Sequence, residues 1–292
     1  MILVTGATGM FGSRVVRETL ARGAEVRALV HSPAKAGQLS AGAEVAVGDL
    51  DVPKSLGEAF AGVDTAFIVS PLDERIATRE ENALRAAQEA GVRRVVKLYG
   101  CVRHHGDPLD ALHLTSIDAI RNSGMDWALV SPSSVMDTSV LDQVEAIRQF
   151  DCLFGAAGNG RVGLVAADDV ARAAAVVLTE RDEQGANYEL TGPAALSMAE
   201  MAAVLSEVLG RTITYRDMAE PEFRKFVIEQ GGFPAAQVDV RVMLHFAAWK
   251  RGDADLVTGT YRDLTGNEPM SLKEWVAGHR DAFAPAGGGG EG

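Results

Sequence analysis

The segment Thr5-Gly6-Ala7-Thr8-Gly9-Met10-Phe11-Gly12 carries glycines in a Gly-x-x-Gly-x-x-Gly spacing, directly after the apolar run Ile2-Leu3-Val4. Strand, glycine loop and helix in that order make an anion cradle. The first glycine permits the tight turn, the second lets a pyrophosphate approach the backbone, and the third lets the helix pack on the strand. The helix N-terminus adds unpaired N–H donors and partial positive charge. Gly6, Thr8, Gly9, Met10, Phe11 and Gly12 are therefore the candidate phosphate loop of a dinucleotide site. A glycine-rich structural turn is the plain alternative.

Other candidates follow the next strands. Val26 to Val30 ends in His31-Ser32-Pro33-Ala34-Lys35. An NAD site usually carries an Asp or Glu here to accept from the ribose hydroxyls. This segment has none. His31, Ser32 and Lys35 can all donate to a 2′-phosphate, which favours NADP(H) over NAD(H); otherwise Lys35 is a solvated charge and His31 a neutral loop residue. After Glu44 to Val47, Asp49 can accept from the adenine amino group while Leu50 packs on the ring, with a turn aspartate as the alternative. Val69-Ser70-Pro71 belongs under the nicotinamide ribose. Ser131-Pro132-Ser133-Ser134 belongs beside the carboxamide, with Pro132 the candidate contact and an ordinary turn the alternative. Lys97, inside an apolar strand, either snorkels from the sheet edge or reaches the ribose.

These loops need a scaffold, and the chain supplies an alternating one. Strands are predicted at 2–4, 26–30, 44–47, 65–69, 94–98, 127–130 and 188–190. Helices are predicted at 10–22, 76–90, 109–122 and 170–178, the last capped by Asp168. Ser55-Leu56-Gly57-Glu58, Ser197-Met198-Ala199-Glu200 and Ser271-Leu272-Lys273-Glu274 read as capping boxes. Leu272, Trp275, Val276, His279 and Phe283 form one apolar stripe. Continuous apolar strands between helices mean a parallel sheet covered on both faces. The fold class is α/β, a doubly wound parallel-sheet Rossmann fold with a smaller, mostly helical C-terminal substrate lobe. Residues 1–130 with about 162–195 make the nucleotide domain. About 131–161 and 196–284 make the substrate lobe, where 131–161 and 211–262 wall a pocket as loops. Residues 285–292 are a glycine-rich tail expected to be disordered.

The chain has 292 residues and a formal charge of -12. So acidic a balance argues against a phosphate-tracking nucleic-acid binder and against an anionic membrane surface. Two cysteines, Cys101 and Cys152, cannot build a disulfide framework, and a reduced, cytoplasmic compartment fits. Met1 leads straight to the glycine loop without a basic leader, and no apolar run approaches a membrane span. An excess of Arg over Lys, with abundant Ala and Gly, suggests a GC-rich bacterial genome. Oligomerisation is left open.

Taken together, Thr5 to Gly12, Val26 to Val30, Gly48-Asp49-Leu50, Gly91 to Val96, Ser123-Gly124-Met125-Asp126-Trp127 and Asp168-Asp169-Val170-Ala171 resemble the NmrA-like group of the atypical short-chain dehydrogenase/reductase superfamily. The resemblance runs to about Ala284. It implies an NADP(H)-binding Rossmann domain with a small substrate lobe. Members of the group include quinone reductases, a triphenylmethane dye reductase and non-enzymatic sensors of the NADPH/NADP ratio. The group's usual Arg after the second strand is His31 here.

Related reductases use a Tyr, a Lys four residues later and a Ser ending the fifth strand. No Tyr lies between Tyr99 and Tyr188, no Lys between Lys97 and Lys225, and Tyr99 stands at the serine place. The remaining candidate proton donors are Tyr99, His104, His105 and His113, with Tyr99 and His113 the catalytic choices. Tyr99 is otherwise an aromatic lid, and His113, sharing a helix side with Ile117 and Ile120, a core histidine. His104, His105, Asp107, Asp110 and His113 match no familiar zinc spacing, so no metal is expected. His245 and Trp249, four apart on a helix of the small lobe, are read as core packing, with the pocket wall as the alternative. Asp168 and Asp169 are read as caps before they are site residues. A quinone or conjugated acceptor tolerates the loss of the Tyr-Lys pair better than a plain ketone. The reading is an NADPH-dependent oxidoreductase acting on a small aromatic, quinone-like or conjugated carbonyl substrate. A non-catalytic NADP(H) sensor, or an isomerase or cyclase on the same fold, is the alternative.

Overall fold

The computed structural model describes residues 1–102 and 108–284. The expected disorder of 285–292, and the candidates His104, His105 and Asp107, lie outside these residues. In chain order the elements begin with β1 (Ile2–Val4), α1 (Met10–Ala21), β2 (Val26–Val30), β3 (Glu44–Val47), α2 (Gly57–Phe60), β4 (Thr65–Ile68), α3 (Ile76–Glu89), β5 (Arg94–Leu98), α4 (Pro108–Arg121) and β6 (Asp126–Pro132). They continue with α5 (Met136–Ser139), α6 (Val144–Phe150), β7 (Cys152–Gly155), β8 (Arg161–Val162), α7 (Ala167–Glu180), β9 (Ala186–Leu190), β10 (Leu196–Ser197) and α8 (Met198–Leu209). The chain closes with β11 (Thr214–Asp217), α9 (Glu220–Glu229), α10 (Ala235–Val238), α11 (Leu244–Arg251), α12 (Thr260–Thr265) and α13 (Leu272–Gly278).

Among the described residues, seven strands form one parallel sheet in the order β3-β2-β1-β4-β5-β6-β9. The order reverses between β1 and β4, and that switch point opens a crevice at the carboxyl ends. Side chains alternate across the sheet. Ile2 and Val4 therefore join Val15, Val16, Ala174 and Val177 on one face, while Leu3 joins Phe60, Ala83 and Ala87 on the other. Burial on both faces explains the uninterrupted apolar runs of the central strands β1 and β4. A third core gathers Met136, Phe154, Phe223, Phe246, Trp249 and Trp275 above the sheet's edge.

Some local expectations change. Ser55 caps nothing: its Oγ accepts from Asp49 N at 2.8 Å and donates to Val52 O at 2.7 Å, drawing the loop after β3 closed. Asp168 does not cap α7, which starts three residues earlier than expected. Asp137 does so from a distance, its Oδ2 accepting from Ala167 N at 2.9 Å, while Asp168 meets Arg17 at 2.7 Å. Asp169 instead accepts from Met270 N at 2.6 Å and so ties a distant loop to α7. Strand β6 runs through Pro132, so Ser131 lies within it and donates to Asn187 Oδ1 at 2.6 Å. The boxes at Ser197/Glu200 and Ser271/Glu274 both form. Leu272, Trp275, Val276 and Phe283 are buried as one stripe, with His279 half-buried and stacked on Trp275 at 4.2 Å.

Candidate active site

A cavity of about 970 Å3 runs along the sheet's carboxyl edge and under the helical cap. At one end it is built from backbone. Gly6 has φ +56°, and a Cβ there would sit 2.9 Å from Val69 O. A Cβ on Gly12 would fall 2.2 Å from Gly6 O, so the third glycine lets α1 close on the loop itself rather than on the strand. Thr5 Oγ1 donates to Val69 O and accepts from Val69 N, both at 2.8 Å, which staples this loop to the end of β4. No side chain caps α1 and no acidic residue occupies its first turn. An open helix N-terminus beside a cradle that excludes Cβ atoms suits a pyrophosphate.

Gly6, Thr8, Gly9, Met10, Phe11 and Gly12 all line the cavity, as do His31, Asp49 and Leu50 further along. Ser32 and Lys35 do not; they sit on a short turn after β2, outside the wall. One Asp49 oxygen accepts from Asp51 N at 2.9 Å, so this residue is a turn aspartate that also faces the cavity. Arg79, which sequence reasoning missed, clamps the loop. It donates to both oxygens of Asp51, at 2.9 and 3.1 Å, and to both of Asp73, at 2.8 Å.

At the middle of the edge, Val69, Ser70, Pro71, Pro132 and Ser133 come together with Tyr99 and His113. Ser133 Oγ is buried without a hydrogen-bond partner among the described residues, which marks a position for a ligand group. Tyr99 and His113 meet edge to face, ring centroids 5.2 Å apart. Burial and then the Asp110 carboxylate push the Tyr99 phenol above its usual range, so it keeps its proton at neutral pH. His113 is cavity wall rather than core.

Lys97 does neither of the things expected of it. It is wholly buried, and its Nζ lies 2.5 Å from Oε2 of Glu80 on α3. Burial lowers its pKa. The signal was present in the sequence: Glu80 falls on the Ile76–Ala83–Leu84–Ala87 side of α3, so each lone charge on an apolar surface announced the other.

The far end is made of side chains. Thr138, Asp142 and Phe150 come from 131–161, and Phe223, Phe226, Phe246 and Trp249 from 211–262. Both segments wall the cavity as expected, but as helices α5, α6, α9 and α11 rather than as loops. His245 and Trp249 line it too, with Trp249 Nε1 donating to Ser134 Oγ at 3.0 Å. Phe226 stands 4.4 Å from Phe154, and Phe246 stands 4.7 and 4.8 Å from Phe223 and Trp249. Among the described residues no group of His, Cys, Asp and Glu could hold a metal ion.

Residues 6–181 match the NAD(P)H-binding family. The chain belongs to that family. This NAD(P)H-binding protein is 32% identical over 292 residues to the NAD(P)H azoreductase of Xenophilus azovorans, covering 98% of this chain and 100% of the relative. Its fold matches the NADPH-dependent quinone oxidoreductase of Escherichia coli, complexed with NADPH, with a TM-score of 0.87 and 27% identity over 96% of this chain and 100% of the other. It also matches the triphenylmethane reductase of Citrobacter sp., complexed with NADP(H), with a TM-score of 0.87 and 28% identity over 97% and 100%. The NmrA-like resemblance of the sequence fits these neighbours. Among the described residues no helix is long and apolar enough to cross a membrane.

Proposed function

We propose that the protein is a cytoplasmic NADPH-dependent oxidoreductase that reduces a small aromatic, quinone-like or conjugated carbonyl substrate. The observation that carries this is one continuous cavity, with a backbone cradle for a pyrophosphate at one end and an aromatic wall at the other. When bound, the cofactor supplies the hydride. Gly6, Thr8, Gly9, Met10, Phe11 and Gly12 hold its pyrophosphate, Asp49 and Leu50 its adenine, and His31 its 2′-phosphate, with Ser32 and Lys35 near enough in sequence to assist. Val69, Ser70, Pro71 and Pro132 seat the nicotinamide end, and the unpartnered Ser133 hydroxyl suits the carboxamide. The relatives complexed with NADPH and NADP(H) support the choice of phosphate-bearing cofactor.

Tyr99 and His113 are the candidate proton donors. Hydride delivered to a quinone leaves a phenolate that needs one proton, and the Tyr99 hydroxyl keeps one available at the cavity wall. The helical cap excludes water and stacks flat substrates against Phe226 and Trp249. On this reading residues 1–130 with about 162–195 serve the nucleotide, and about 131–161 with 196–284 serve the substrate. NADPH consumption against a panel of quinones and conjugated carbonyls tests it, followed by absorbance with the cofactor's affinity titrated separately. Turnover above background is expected. Tight NADPH binding without turnover of any acceptor overturns the oxidoreductase reading in favour of a redox sensor.

A further inference from the structure

Three polar side chains of the site form a chain that no proposed step has used. Lys97 on β5 is fully buried, and Glu80 on α3 is 2% exposed. Glu80 Oε2 takes the Lys97 ammonium at 2.5 Å, and Glu80 Oε1 accepts from Ser70 Oγ at 3.2 Å. Ser70 and Glu80 reach the cavity wall, while Lys97 stays behind them. The Thr5–Val69 staple holds Ser70 beside the phosphate loop.

Stability does not explain the pair. Replacing a buried ion pair with apolar side chains of similar volume is often neutral or stabilising, because two desolvation costs vanish together. Hydrogen-bond polarity does explain it. A serine hydroxyl has one proton and two lone pairs. An ionised carboxylate can only accept, so the Ser70 proton is committed to Glu80 and lone pairs are left for the cavity. The Lys97 ammonium 2.5 Å from Oε2 balances that carboxylate and leaves Oε1 as an acceptor for Ser70. Lys97 also cancels a negative charge that would otherwise repel the cofactor's phosphates.

We propose that Lys97 and Glu80 are positioning residues that hold Ser70 as a hydrogen-bond acceptor for a sugar hydroxyl of the bound dinucleotide. The inference rests on the cofactor assignment above and gives the ribose a recognising atom. The recognised chemistry is a ribose O–H donor, and Ser70 is the residue that touches it.

Single changes in the ion pair strand a buried charge, so the test uses paired changes. NADPH is titrated by its fluorescence into the wild type, Ser70→Ala, Glu80→Leu/Lys97→Met, Glu80→Gln/Lys97→Met and the triple variant Ser70→Ala/Glu80→Leu/Lys97→Met. Each is melted by circular dichroism in parallel. The Leu/Met pair is expected to melt no lower than the wild type and to bind NADPH about tenfold more weakly, the net worth of one hydrogen bond. The Gln/Met pair is expected to recover most of that affinity, since an amide oxygen still accepts from Ser70. Ser70→Ala should also lose about tenfold, and the triple variant no more than that, because both changes remove one interaction. Wild-type affinity in the Leu/Met pair, or losses that multiply in the triple variant, overturns the relay. If the Leu/Met pair does not fold, wild-type affinity in Ser70→Ala overturns it alone. A wild type that binds no NADPH overturns the cofactor reading as well, whereas unchanged variants of a binding wild type overturn only the relay.

Discussion

The two ends of the cavity are built on different principles. The nucleotide end is backbone: glycines without Cβ atoms, an uncapped helix N-terminus and loops that leave adjacent parallel strands. The substrate end is side chains: aromatics from helix α6 and from helices α9 and α11, which come from separate stretches of the chain, 144–150 and 220–251. A backbone cradle has one geometry and tolerates no added atom, because nothing in it can rotate away. An aromatic wall can repack, so it can change its substrate without losing its fold. The nucleotide end should therefore fail abruptly on small changes, and the substrate end should respond in steps.

The largest effect belongs to Gly12→Ala. Its Cβ would lie 2.2 Å from the backbone oxygen of Gly6, which no side-chain rotation can move away. Loss of measurable NADPH binding in a fluorescence titration is expected, with helical content retained. Gly9→Val should likewise block pyrophosphate approach, its Cβ lying 3.2 Å from Gly6 O. Binding retained in both variants would break the contrast between the two ends.

Next comes Tyr99→Phe, expected to lower kcat toward quinones about a hundredfold while leaving the NADPH affinity unchanged. The sign of its pH dependence follows from burial. A phenol raised above its ordinary value of 10.0 remains protonated, and so remains a donor, through pH 6–9. No falling limb of kcat is expected in that window. A fall centred below pH 9 that disappears in Tyr99→Phe would show instead that the phenol titrates low.

A smaller effect is expected at the other end. Phe226→Ala removes the ring 4.4 Å from Phe154 and should raise KM for aromatic acceptors about tenfold, with the NADPH affinity unmoved. Equal losses for cofactor and substrate would mean that the two ends are not independent.

The smallest effect concerns α1 and α7. Burial raises the Asp168 pKa, but the Arg17 and Arg14 contacts outweigh it and the net shift is downward. The stability this contributes is present above the unfolded value and is lost as pH falls through the folded one. Asp168 is 37% exposed, so solvent screening limits the gain to roughly a few tenths of a kcal/mol. Asp168→Asn should accordingly flatten the acid limb of thermal stability between about pH 5 and 3 by only a degree or so.

The contrast also explains what could be read without coordinates. Gly6, Gly9 and Gly12 announce their role by spacing, because a backbone site needs residue types that are rare at that spacing by chance. The apolar runs of β1 and β4 give the sheet, since burial on both faces leaves no alternation to misread. Ser55 and Asp168 misled for one shared reason. Each stands at a cap spacing, but a nearer partner, the Asp49 amide or Arg17, took the side chain. His245 and Trp249 have the helical spacing of core residues, and Trp249 does pack in the core at 2% exposure, while the seating of α11 against Ser134 also puts both on the cavity wall.

Residue type, periodicity and glycine spacing thus determined the doubly wound sheet, the phosphate loop and the absence of the Tyr-Lys pair, because these are local properties of consecutive residues. Tertiary structure alone decided that Asp137 caps α7, that Arg79 clamps Asp51 to Asp73, and that Tyr99 faces His113. Each of those contacts joins separate elements, so its existence depends on how the elements pack and not on the order in which they are joined.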